Sequence, residues 1–115
     1  MRVLLNRMKK GDKDLDSLPE PTIEQVKLVS PLYWIENDTY TTPTFGIHGT
    51  ADDLIPTRQA HAVYDALSSR GIESGVRIVE GGVHLFDCVP GWQEVPEYAK
   101  AVWDGYEFLR RQVGL

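Results

Sequence analysis

Short apolar runs alternate with longer amphipathic ones over the second half of the chain, and a more polar stretch precedes them. Residues 44–48 (Thr-Phe-Gly-Ile-His) are a compact, mostly apolar run between Pro43 and Gly49, the pattern of a strand buried on both faces. From Thr57, Ala60, Val63, Tyr64 and Leu67 recur at helical spacing before Gly71, which predicts a helix capped by Thr57 and stopped by the glycine. Residues 75–80 (Gly-Val-Arg-Ile-Val-Glu) predict a second strand, ending in the turn Gly81-Gly82. Pro96 then opens a final helix to about Val113. Its expected buried stripe is Tyr98, Ala101, Val102, Gly105 and Leu109, widened by Trp103 and Phe108.

The order strand, helix, strand, long loop, helix predicts one parallel crossover with a covering helix, and right-handedness is the rule for such a connection. Two parallel strands buried on both faces need neighbours, so the edge of the first strand should be unpaired and prone to association. The pattern is that of an α/β fold with an incomplete sheet. Upstream, Thr22 and Gln25 fit a capping box for a short helix to Val29, and Ser30-Pro31 should end it. Residues 32–42 read as an irregular connection packing Tyr33, Trp34 and Tyr40 inward. The expected division is a polar segment over residues 1–29, with a charged loop at 9–16, followed by the α/β portion over 30–115.

Composition narrows the function classes. The chain has 115 residues, 42% of them hydrophobic, 25% charged, with a net charge of −5. Such a chain forms one domain at most, and its acidity gives no support for a nucleic-acid surface. No apolar run approaches the roughly 20 residues that span a bilayer, and the apolar core of residues 1–6 is too short for a signal peptide. A single cysteine, Cys88, excludes an internal disulfide and fits a reducing, cytoplasmic compartment.

The chemistry sits at the ends of the two expected strands. After the first comes His48-Gly49-Thr50-Ala51-Asp52-Asp53-Leu54-Ile55-Pro56, and after the second Gly81-Gly82-Val83-His84, with His84 32 residues beyond Asp52. Parallel α/β sheets collect active groups at the carboxyl ends of their strands, so an acid and a histidine placed there can meet. A carboxylate bonded to an imidazole is two thirds of a nucleophilic triad.

On these residues the chain resembles the carboxy-terminal part of the α/β-hydrolase fold, most nearly the prolyl-oligopeptidase-like peptidases and the related esterases and lipases. The resemblance covers roughly residues 30–113 and maps the family's acid onto Asp52 and its histidine onto His84. Asp53 would then steady the turn. It implies a serine hydrolase acting on an ester or a peptide, with no cofactor and no metal. The family's nucleophile stands in Gly-x-Ser-x-Gly upstream of both partners, and that motif is absent here. Ser17, Ser30, Ser68, Ser69 and Ser74 are all in the wrong local setting. The chain alone is therefore expected to be inactive, the acid–base end of a hydrolase separated from its N-terminal half.

Other readings stay open beside this one. The chain could be a non-catalytic remnant or interaction module that pairs through its open strand edge, with a partner or with itself. Cys88 as a thiol nucleophile, or a metal held by His48, Asp52, Asp53 and His84, would make it free-standing. His48 should bond backbone across the turn, and His61 should face solvent. The three tryptophans should pack, with Trp92 placed to wall a pocket. Ester, thioester and peptide substrates are not separable on these residues, and neither membrane nor nucleic acid is expected as a partner.

Overall fold

The computed structural model describes residues 19–115, which divide into two units at the Ser30–Pro31 bond. In the first, α1 (Ile23–Leu28) begins with the expected capping box. The Gln25 amide donates to Thr22 Oγ1 at 3.2 Å, and the Thr22 amide donates to Gln25 Oε1 at 2.9 Å. The readings made on residues 1–6, on the loop at 9–16 and on Ser17 lie outside the described residues.

The second unit runs α2 (Pro31–Glu36), β1 (Thr44–Gly49), α3 (Arg58–Ser69), β2 (Ser74–Val79), two short 3₁₀ turns (Phe86–Cys88 and Trp92–Glu94), and α4 (Pro96–Gln112). β1 and β2 pair in parallel, from Thr44 opposite Ser74 to Gly49 opposite Val79. Side chains alternate across a strand, and the two helices use that alternation. Thr44 and Gly46 face Val63 and Leu67 of α3. Phe45 and Ile47 face α4, where the Phe45 ring lies 5.4 Å from Phe108 and both side chains close on Gly105. The result is a helix–sheet–helix sandwich with one small core on each face. Ile35, Ala66 and Leu67 form one core; Val79, Phe86 and Ala101 form the other. Neither β1 nor β2 has a second partner strand among the described residues.

Three expectations need correction. Residues 31–36 are helical rather than irregular. Pro31 suits a first helical position, since its missing amide would have no partner there and its φ is already helical. Six residues cannot hold a helix by themselves. Ile35 is only 1% exposed against Leu67, and the Arg70 guanidinium donates to the carbonyls of Glu36 (2.9 Å) and Ala66 (3.2 Å) and to Asp38 Oδ1 (2.8 Å). One side chain thus caps the ends of α2 and α3 together.

Thr57 does not cap α3: its backbone is already helical and its hydroxyl bonds no first-turn amide. The stripe on α4 is also rotated from the one expected. Ala101 and Phe108 are buried, whereas Trp103 and Leu109 are 68% and 59% exposed. The sheet presents Phe45 and Ile47 to the 101–105–108 line, which turns Leu109 toward the open groove beside β1. Trp103 sets its ring 5.8 Å from that of Tyr106, itself exposed, and does not pack inward.

Candidate active site

The carboxyl ends of β1 and β2 meet through two glycines. A Cβ on Gly49 would overlap the Gly82 carbonyl, and one on Gly82 would lie 3.0 Å from the Gly49 Cα. This bare approach lets the two following turns run side by side. Thr50 N–H donates to Val79 O at 2.9 Å, Ala51 N–H to Gly82 O at 3.0 Å, and Gly81 N–H to Thr50 Oγ1 at 2.8 Å. Asp52 stands on the first turn and His84 on the second.

Asp52 is held from both sides. Its Oδ1 accepts the amides of Leu54 (2.9 Å) and Ile55 (2.8 Å), and its Oδ2 lies 2.9 Å from His84 Nδ1. The Ile55 amide does most to lower its carboxyl pKa from 3.8 to about 2; partial burial opposes it, and the His84 and Leu54 bonds add to it. An ionised carboxylate only accepts, so Nδ1 of His84 carries the proton and donates it. Nε2 makes no hydrogen bond to any described residue, and His84 lines a cleft of about 230 Å³ with the apolar side chains of Ile47, Ile55, Val83, Leu85, Phe86 and Val102 and the polar ones of His48, Asp52 and Asp87. The His84 side chain is 30% exposed, against 7% for Asp52. The acid is enclosed while the base is accessible.

The low Asp52 value has a consequence for acid stability. The folded-state value lies below the unrestrained one, so ionisation of Asp52 stabilises the fold at every pH above about 3.8. That contribution is lost as pH falls from there through about 2. The urea midpoint of an Asp52→Asn chain should lie below the parent's near neutrality, and the gap should close over that acid window. A gap independent of pH would contradict this account.

Local backbone sets the histidine. Leu85 adopts the left-handed region (φ 53°, ψ 43°) directly after His84, and Phe86 then enters the core, 6% exposed and 4.6 Å from the Tyr98 ring. The chain is thus turned sharply and anchored within two residues of the imidazole.

His48, the penultimate residue of β1, makes the backbone bond expected of it, with Nε2 2.8 Å from Ile55 O. The same nitrogen lies 3.5 Å from Asp52 Oδ2, a contact that the sequence reading missed; the four-residue spacing from 48 to 52 was the available signal. His61 is exposed on α3. Asp53 does not steady the turn: its side chain bonds no described residue, and Asp52 does that work. Cys88 is exposed, and neither it nor any described serine hydrogen-bonds to His84. Trp92 is absent from the cleft lining. Among the described residues, no group of three or more His, Cys, Asp or Glu is arranged to hold a metal ion, and no helix is long and apolar enough to cross a membrane.

The model of the prolyl oligopeptidase family (Peptidase_S9) matches residues 8–114. The non-reducing polyketide synthase adrD of Penicillium rubens is 51% identical over 105 residues, 91% of this chain and 4% of that protein. Its counterpart adrD of Penicillium roqueforti is 50% identical over 98 residues, 85% of this chain and 4% of the other. The polyketide synthase ausA of Emericella nidulans is 48% identical over 98 residues, again 85% and 4%. The chain thus spans about 4% of the length of these relatives. No solved structure shows a significant match. The matched profile covers nearly the whole sequence, and the chain belongs to the prolyl oligopeptidase family, whose α/β-hydrolase fold its parallel strands and flanking helices fit.

Proposed function

We propose that this chain supplies the acid and the base of a serine hydrolase whose nucleophile lies on sequence upstream of it. The observation that carries the reading is the Asp52–His84 bond at 2.9 Å with Nε2 left open to a cleft. In the complete fold, a serine hydroxyl attacks the substrate carbonyl while His84 Nε2 takes its proton. Asp52 holds the ring in the Nδ1–H tautomer and stabilises the imidazolium that forms. His84 then returns the proton to the leaving group, and a second round with water releases the acid. The relatives are named polyketide synthases, so we assign a polyketide acyl ester or thioester as the substrate class. The unpaired edge of β1 is where the remainder of the sheet joins.

Labelling with a fluorescent fluorophosphonate tests this reading. The 115-residue chain should remain unlabelled and should not hydrolyse a p-nitrophenyl ester above background. The chain extended upstream by its native sequence should label. Absence of label on the extended form would favour a non-catalytic module that pairs through β1. Label on the short chain would mean that its own serine or cysteine is the nucleophile.

A further inference from the structure

We propose that His48 is a positioning residue for the Asp52–His84 pair, which adds a second imidazole to the acid's surroundings; this rests on the reading of that pair given above. A carbonyl oxygen has no proton to give, so the 2.8 Å contact with Ile55 O requires His48 Nε2 to carry the hydrogen. Ile55 is thereby gripped at both ends of its backbone: its N–H by Asp52 Oδ1, its C=O by His48. The same Nε2–H leans on Oδ2 of Asp52 from 3.5 Å, the oxygen that accepts from His84. Oδ2 therefore sits between two imidazole N–H groups, and Oδ1 between two amides.

What makes the grip useful is where His48 is rooted. It lies within β1, paired opposite Ile78 of β2, and its side chain is only 13% exposed. The ring ties the turn that carries Asp52 to the strand that fixes the distance to His84. Without it, the Ile55 carbonyl loses its donor, the turn relaxes, and the carboxylate drifts from the line of Nδ1. A displacement of about 1 Å at such a bond costs a catalyst roughly 10²-fold. His48 lines the cleft beside His84, but its Nε2–H is engaged by Ile55 O and leans on Asp52, so its loss should appear chiefly in kcat rather than in KM.

The test uses ¹⁵N-histidine spectra of the full chain above neutral pH, with kinetics on the upstream-extended hydrolase. The parent should show His48 protonated at Nε2 and a downfield, slowly exchanging His84 Nδ1–H. In His48→Leu that signal should move upfield and broaden while strand amides keep their dispersion, and kcat should fall about 10- to 100-fold with KM within about twofold. His48→Gln, which restores a donor at similar reach, should recover both. A His84 signal unchanged in His48→Leu, yet abolished by Asp52→Asn, overturns the role of His48 and leaves the pair intact. A signal that survives Asp52→Asn removes the pair itself. Should His48→Leu lose its strand dispersion, the parent decides: a bare Nε2 on His48 overturns the proposal without any variant.

Discussion

Replacing His84 with alanine in the complete hydrolase is expected to lower kcat by about 10⁴- to 10⁶-fold while KM stays within about threefold. Of the titratable groups that line the cleft, His84 is the imidazole whose Nδ1 is committed to Asp52 and whose Nε2 is open. Removing it leaves the serine without a base and the leaving group without an acid, so both half-reactions fail together. Asp52→Asn should cost about 10⁴-fold by a different route. An amide can turn its NH₂ toward Nδ1, which then accepts; the proton moves to Nε2, the face that must be bare. Single-turnover kinetics with a p-nitrophenyl ester would separate the two variants from a binding defect. A His84→Ala enzyme that retained a tenth of its activity would refute the assignment.

The second large effect concerns a residue with no side chain to do chemistry. Gly49→Ala should destabilise the hydrolase by about 3 kcal/mol or more, at the top of the range for an added methyl group. The new Cβ would strike the backbone of Gly82 rather than the tip of a flexible side chain, so the strands themselves must part. The hydrogen bonds from Thr50 to Val79 and from Ala51 to Gly82 lie directly beyond, and the Asp52 and His84 turns would separate with them. Activity should fall with stability in this variant. Gly81→Ala is the control. Its φ of +70° makes alanine strained, yet nothing lies within 4 Å of the added Cβ, and the cost should stay near about 1 kcal/mol. Thermal midpoints of the two variants measure the contrast directly; equal shifts would show that left-handed strain, not the glycine contact, governs this corner.

The sequence made the strands and the Asp52–His84 pair legible for a common reason. The runs at 44–48 and 75–80 are bounded by Pro43, Gly49 and the Gly81-Gly82 turn, close to the observed strands Thr44–Gly49 and Ser74–Val79, and a chain turning at those points sets both polar residues at one edge. Helix α2 was hidden because it has no apolar period of its own. Its stability comes from Ile35 in a distant core and from Arg70, which follows it by more than thirty residues. The α4 stripe was misplaced because Leu109 and Phe108 are equally apolar; the choice between them is made by the pleat of β1, where Phe45 meets Phe108. Thr57 failed as a cap for a similar reason, since its own backbone is already helical. His48 was read correctly as a backbone-bonding residue, but its nearness to the acid depends on the fold of the 52–55 turn.

The bonds that shape Asp52 are made within residues 48–55, whereas His84 reaches it across 32 residues. Closing the longer span costs on the order of 1 kcal/mol more chain entropy than closing the shorter one. The two halves of the site therefore do not come apart together. The 52–55 turn can keep its own bonds after the sandwich opens, whereas His84, which follows β2 and precedes the core residue Phe86, is expected to leave its place only when that core gives way.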